Sequence, residues 1–394
     1  MVQGFLFLGS LFFCFKVSSV QSYKVYFLCK LICDYIYVLK NIFVNRKYLL
    51  PLLLLVQIIG LKLLAFFPNF VEKNYSNLLY PIILKFSRTC LGWIPFSVGD
   101  VLYGILIIWA ICWFYKSRKE NWKNKILSVL GFVSVAYFVF HLLWAFNYYR
   151  VPLFEKMNIK REYSDQQLLC FTKKIIVKTN EIQFQITNDT AKKVTTVCTQ
   201  NQIFDKSIVA YQKLSKEYSF FTYGVPSQKK SLFSYPLTYM GFGGYLNPFT
   251  NEAQVNNMIP MYNFPSTACH EMAHQMGYAS ESECNFISFL SAIKTEDLYF
   301  KYSGYSFALR YCLFNWEVRN PQIFKKLLKT INPGVLKNYQ ESQHFWESHQ
   351  TFIDTGFKIF YDNFLKLNQQ KDGLESYSKF VNLMVNYYSS NNEL

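Results

Sequence analysis

Cysteine pairs of the CxxC type are missing from this chain, although it holds ten cysteines. Cys29 and Cys33 are four apart, which is a helix-face spacing and neither a redox motif nor half of a zinc ribbon. Cys170, Cys198, Cys269, Cys284 and Cys312 lie in the carboxy-terminal part. Five is an odd number, so a disulfide framework confined to that part would leave one thiol over. Zinc-knuckle and finger spacings are absent too, and no helix reads as a basic recognition helix. The net charge of +16 is therefore not assigned to nucleic acid. No basic residue precedes the apolar stretch 1–15, as an ordinary signal peptide requires, and Ser18-Ser19 is a poor cleavage site. There is no internal repeat and no low-complexity run. Histidine is scarce, with only five in 394 residues.

What is abundant is apolar and aromatic. Hydrophobic residues make up 51%, with Phe 39 and Tyr 30. Three runs of about 20 residues have the length of a bilayer span: 48–67, 96–115 and 126–146. The third ends in the aromatic girdle Asn147-Tyr148-Tyr149-Arg150. Between the second and third lie Lys116, Arg118, Lys119, Lys123 and Lys125 against Glu120 alone. The positive-inside rule puts that loop in the cytoplasm, and hence the loop 68–95 and everything after residue 147 outside. Lys73, Lys85 and Arg88 weigh mildly against this, and Asp100 is read as interfacial. Residues 1–47 form an extension that fits an extra membrane or interfacial helix.

The chemistry concentrates in His270-Glu271-Met272-Ala273-His274, followed by Gly277 and by Glu281-Ser282-Glu283-Cys284-Asn285. Two histidines four apart on a helix share a face and can aim at one metal ion. Glu271 sits beside that face, where a base for an attacking water belongs. HExxH is a short pattern that also arises by accident. Its weight here comes from Gly277, which ends the helix, and from the carboxylates beyond it. The expected metal is Zn2+, held by His270, His274 and Glu281, with Glu283 as the alternative third ligand. Asn285, one turn beyond Glu281, is placed to hydrogen-bond a ligating imidazole. Tyr361, Tyr377, His344 and His349 are oxyanion donors by residue type only. Glu347 is a further ligand candidate should neither carboxylate serve.

Residues 150–394 read as a mainly helical domain. Helices are expected at 164–178, 202–220, 285–292, 303–318, 321–330 and 342–360, with a tail over 373–388. The motif helix is expected to be capped by Ser266 or Thr267. Residues 239–249, with Gly241, Gly243 and Gly244 among aromatics, suggest an extended edge on which a substrate backbone could pair, or a plain turn. Polar residues Asn263, Ser266, Gln275 and Glu281 flank the motif too closely for an intramembrane protease.

Several stretches together resemble the DUF3810 family, bacterial membrane proteins of unknown function common in the Bacteroidetes. They are Ile94-Pro95-Phe96-Ser97-Val98-Gly99-Asp100, Trp144-Ala145-Phe146-Asn147-Tyr148-Tyr149-Arg150, Pro248-Phe249-Thr250-Asn251-Glu252-Ala253, the motif with Glu281 to Phe286, and Tyr361-Asp362-Asn363-Phe364-Leu365-Lys366 with Gln370 to Gly373. The likeness covers roughly 48–390. Cys284 stands where the family usually has alanine, and Asn251 where it usually has glycine. The family's motif resembles that of zinc metallopeptidases. The resemblance implies a bacterial inner-membrane protein, with transmembrane helices followed by a zincin-like, mostly helical periplasmic domain carrying a small β element. The expected function is zinc-dependent peptide-bond hydrolysis, with Glu271 as base, the lipid bilayer as partner, a peptide or protein as substrate and no nucleic acid. The alternative is a non-catalytic zinc-containing envelope protein, a binding or structural module, which would recruit a fourth ligand from Cys269, Cys284 or His344.

Overall fold

The computed structural model describes residues 48–368 and 377–391. The expected extension 1–47 and the start of the tail lie outside the described residues. The chain forms two compact units. One contains residues 48–59 and 119–137; the other contains 60–118 and the chain from 138 onward. In the first, Gln57 Nε2 donates to Ser134 Oγ at 3.3 Å, a polar contact between two apolar helices. All the chemistry described below belongs to the second.

Among the described residues two helices are long and apolar enough to cross a membrane: Val98–Lys119, whose α-helical part is Val98–Lys116, and Trp122–Leu143. Their outward side chains are bare hydrocarbon, including Ile105, Ile108, Ile111 and Phe114. The expected first span is shorter than its sequence run. Leu49–Leu64 (α1) has 16 residues, about 24 Å at 1.5 Å per residue. After a bend of 104° the chain continues as the helical segment Pro68–Leu91, so a third crossing exists only if this bent pair counts as one span. Pro68 sits at the break because proline cannot continue a helix but starts one well.

Residues 68–95 are thus no open loop. Glu72–Leu79 is a π-helix and Tyr80–Leu91 an α-helix (α2), and both bury polar side chains against the carboxy-terminal domain. Arg88 is 1% exposed and spends its guanidinium on Asn251 Oδ1, Val225 O and Gln275 O. It therefore says nothing about membrane orientation. Glu72 accepts from Arg150 and Lys156, each at 2.8 Å. Burial alone would raise this carboxyl, but the two cations outweigh it and hold it down at about 2. A depressed carboxylate stabilises the fold fully above its unfolded value of about 4.5, and that contribution is lost as pH falls from there toward 2. Acid unfolding followed by circular dichroism should start at higher pH in wild type than in a Glu72→Gln variant corrected for its lower starting stability. Equal slopes would disprove the coupling.

From Val98–Lys116 (α3) and Trp122–Leu143 (α4) the chain enters the domain. Asp165–Thr187 (α5) runs past the expected stop at 178 and ends where Asn188 turns left-handed, at φ 52. Gln200–Glu217 (α6) follows. Three short strands then form a sheet in the order β1-β3-β2: Gln228–Lys230 (β1), Gly244–Asn247 (β2) and Glu252–Val255 (β3). β1 is parallel and β2 antiparallel to β3. Asn251, between β2 and β3, has φ 54, which asparagine tolerates best after glycine. The remaining helices are Phe264–Gln275 (α7), Glu281–Ile293 (α8), Leu298–Arg319 (α9), Pro321–Leu328 (α10), Pro333–Glu347 (α11), Phe352–Leu367 (α12) and Tyr377–Asn391 (α13). Phe264, Met272, Phe286, Phe289, Leu309, Trp316 and Met384 form the heart of the core.

Two expectations are corrected here. Ser266 and Thr267 lie inside α7, not at its cap: Ser266 pairs with Ser303, and Thr267 Oγ1 donates back to Asn263 O. The expected helix 342–360 is two helices, because Thr351 caps a new start by accepting from Ile353 N at 3.2 Å. The amino terminus of α3 is also fixed to the sheet. Glu252 accepts from Val98 N at 3.2 Å and Gly99 N at 2.6 Å, supplying negative charge at the positive helix end. Asp100, in the first turn of α3, is buried against the sheet, accepting from Ser231 Oγ, Leu232 N and Tyr245 Oη.

Candidate metal centre

α7 carries the motif, and its carboxy-terminal end is held by side chains from outside the helix. A helix leaves its last carbonyls without intrahelical donors. Here Trp144 Nε1 donates to His274 O at 3.0 Å, and Tyr80 Oη and Arg88 donate to Gln275 O at 2.8 and 2.7 Å. Arg150 donates to Gly277 O at 2.9 Å. Two of these four groups are cations, which the helix dipole favours at this end. Gly277 has φ +87, and a Cβ there would lie 2.9 Å from both Asn147 and Tyr80. Only glycine fits this turn, which folds α8 back across α7.

The turn brings three side chains together. His270 Nε2 lies 3.1 Å from Glu281 Oε2, and His274 Nε2 lies 3.6 Å from Glu281 Oε1. The ligand atoms of His270, His274 and Glu281 all fall within 4.8 Å of one another, a spacing that can hold one metal ion. Burial works against charge on Glu281, but the two imidazoles win and keep its carboxyl well below the usual range. Tyr361, from α12, donates to Glu281 Oε1 at 2.6 Å. Burial and the neighbouring carboxylate hold the Tyr361 phenol far above its ordinary value, so it stays an O–H donor.

Glu283 points elsewhere. It accepts from Leu153 N at 2.6 Å, and burial raises its carboxyl although Leu153 N and Arg150 pull it back. Two positions along a helix is a rotation of about 200°, so Glu281 and Glu283 cannot serve the same face. Asn285 is not on an imidazole either: its amide reaches Tyr311 Oη at 3.5 Å. The group that orients His274 is the Tyr278 carbonyl, 2.8 Å from Nδ1, which leaves Nε2 turned to Glu281. Backbone carbonyls have no sequence signature, so this could not be foreseen. Cys284 Sγ is 3.3 Å from the same Nδ1, on the side away from the cluster.

Glu271 occupies its own niche. It is 4% exposed, and its Oε2 is buried with no hydrogen-bond partner. Burial pushes its carboxyl up to about 7, with the two imidazoles pulling the other way. A Cβ on Gly244 would come within 2.7 Å of Glu271 Oε1 and 2.6 Å of Gln254 O, so β2 lies directly on this carboxylate. An orphaned carboxylate oxygen beside two imidazoles and a second carboxylate fits the donor set of a catalytic zinc site, which keeps one position for water.

Of the other candidates, His344 is exposed and His349 Nδ1 bonds Phe345 O within α11 and its end. Glu347 pairs with Gln343 on the surface. Cys269 is buried on the core side of α7, with its carbonyl accepting from Tyr211. Among the described residues none of Cys269, Cys284 and His344 joins the cluster. The side chain of Tyr377 lies outside the described residues. Tyr148 is a residue that sequence reasoning missed. Its ring packs edge-on against Trp144, 5.2 Å between centroids, and Trp144 packs in turn on His274 at 6.1 Å; burial, and then Glu281, raise its phenol well above the ordinary value. It hid within an aromatic run that ends a membrane span.

The model of the family described as protein of unknown function, DUF3810, matches residues 75–385. The chain belongs to the DUF3810 family. No curated protein and no solved structure matches it. The match begins inside the π-helix, so Tyr80 and Arg88, which brace the end of α7, belong to the DUF3810 region together with the cluster itself. Membership attaches no activity. What stands for this DUF3810 chain is a membrane-associated, largely helical protein with a His-His-Glu cluster able to hold a divalent metal.

Proposed function

We propose that this chain is a membrane-anchored, zinc-dependent peptidase. The observation that carries the reading is Glu271: a buried carboxylate, unpartnered at Oε2, between the His-His-Glu cluster and an edge strand. His270, His274 and Glu281 would hold the ion. Zinc supplies Lewis acidity, drawing charge from a carbonyl oxygen and making an attacking water more acidic. Glu271, kept near 7 by burial, is matched to take that proton at neutral pH and return it to the departing amine. Tyr361, the O–H donor on Glu281, is suited to bond an oxygen as it gains charge. β2 is an edge strand of the described sheet, so an extended peptide can pair along it and bring its backbone past Glu271.

The domain boundaries of the reading are 48–149 for the membrane region and 150–394 for the active domain, facing the periplasm across the inner membrane of a bacterium. The basic segment 116–125 supports that orientation. The test is a broad peptide library incubated with the full chain in lipid, with zinc and after its removal by a chelator. Cleavage that chelation stops and zinc restores is the expected result. Absence of cleavage in both states sinks the reading.

A second reading, a zinc-holding binding or structural module of the envelope, shares the cluster and the membrane helices and asks less, since it needs neither substrate nor base. The contacts of Glu281 with His270 and His274, at 3.1 and 3.6 Å, favour it, because they already close the cluster on itself. Against it stands the lack of a fourth protein ligand among the described residues, which a structural zinc site wants.

A further inference from the structure

The helix that delivers Tyr361 leaves a broad apolar face uncovered. In α12 the residues turned to the protein are Asp354 and Leu365, both buried, and Tyr361, which meets Glu281; Lys358, exposed at the rim, pairs with Asp354 at 2.8 Å. A Cβ on Gly241, in the loop before β2, would lie 2.6 Å from Asp354 Oδ1, so this face is pressed onto the loop. The large apolar residues are turned outward, with Asn363 exposed among them and Lys358 and Lys366 at the sides. Phe352 is 87% exposed, Ile359 61%, Phe360 64% and Leu367 80%, with Ile353 and Phe357 beside them. These positions recur at intervals of three, four and seven and make one face of the helix. A soluble protein does not keep such a patch bare.

What covers it is indicated by its neighbours. Phe364, at the border of the two faces, packs on Phe140 with ring centroids 6.1 Å apart. Phe140 lies in the last turn of α4, one of the two helices able to cross a membrane. The bare face of α12 therefore borders the last turn of α4. Phe364 also touches Tyr148 at 6.4 Å, and Tyr361 packs on Phe242 at 5.0 Å.

We propose that α12 is an interfacial helix, its outer face seated in the surface of the lipid bilayer and its inner face laid over the metal centre, so that membrane contact holds Tyr361 on Glu281. Interfacial helices bury an apolar face in the acyl boundary and are usually polar toward water. Here the inner face, with Asp354, Tyr361 and Leu365, is turned to the protein's own site, which makes the bilayer the outer wall of that site. The inference rests on the membrane helices and not on peptide hydrolysis, so it stands or falls separately from the peptidase reading.

The test is photo-crosslinking of the full chain in phosphatidylethanolamine and phosphatidylglycerol vesicles, and in native membranes. Benzoylphenylalanine replaces Ile353, Phe360 or Leu367 on the outer face, Asp362 on the inner face, or Ile108 in α3. Replacing an exposed apolar side chain by a larger ring leaves the core untouched. Mass spectrometry is expected to find lipid adducts at Ile353, Phe360 and Leu367 as at Ile108, and none at Asp362. Three outcomes overturn the proposal: lipid adducts at Ile108 with none at the three α12 positions, crosslinks from α12 to a second copy, or crosslinks from α12 to another protein in native membranes. A second measurement reads the consequence. Zinc affinity of a Phe360→Glu variant should fall toward that of Tyr361→Phe, while Phe360→Leu stays at the wild-type value. Unchanged affinity in Phe360→Glu separates α12 from the metal centre and overturns the link.

Discussion

Replacing Glu271 by glutamine is expected to leave zinc content unchanged and to lower peptide hydrolysis by about a hundredfold to ten-thousandfold, the range that general acid–base groups contribute. The two side chains are nearly the same shape, so the packing against Gly244 survives. The amide cannot accept a proton from water. Glu271 takes no part in the three-residue cluster, so the metal should stay. The measurement is turnover of a cleaved peptide alongside metal analysis of the same preparation. Retention of both zinc and full rate would show Glu271 idle and remove the mechanism. Loss of zinc would show that Glu271 acts as a ligand, which is a different site.

The second large effect separates the two acidic residues of the segment after Gly277. Glu281→Ala should empty the site, weakening zinc by more than the roughly 10- to 100-fold that loss of an outer-shell partner costs. Glu283→Ala should keep zinc. Its cost should appear as stability, because it leaves the buried Leu153 N–H without its acceptor, a penalty of about 1–3 kcal/mol. Zinc titration and thermal unfolding of both variants test this together. If Glu283→Ala empties the site and Glu281→Ala does not, the ligand set is wrong. Tyr361→Phe should fall between them, since the phenol touches the metal centre only through Glu281.

The neighbourhood of the centre shows why the struts matter as much as the motif. Arg88, Tyr80, Trp144 and Arg150 reach the end of α7 from segments that sequence reading assigned to a loop and to membrane boundaries. The motif helix is thus anchored to the part of the chain that meets the bilayer. Asp100 and Glu252 do the same for the sheet, tying β2 and β3 to the first turn of α3.

The sequence by itself determined whatever depends on local spacing. Imidazoles four apart share a helix face in any protein, and Gly277 after them allows a turn that no other residue could make at φ +87. Two long apolar runs with a basic loop between them specify membrane helices, because backbone in lipid must satisfy its own hydrogen bonds. The choice between carboxylates was legible to the extent that Glu281 and Glu283 face opposite ways. Tertiary structure alone decided the rest. Tyr278 O on His274, Trp144 on His274 O and Gly244 on Glu271 are contacts across 4, 130 and 27 residues, made by groups with no pattern of their own. The split of 342–360 into α11 and α12 placed Tyr361 on the metal centre, and a one-residue shift in that break would turn it about 100° away. Periodicity finds a helix face; only packing says which object the face meets.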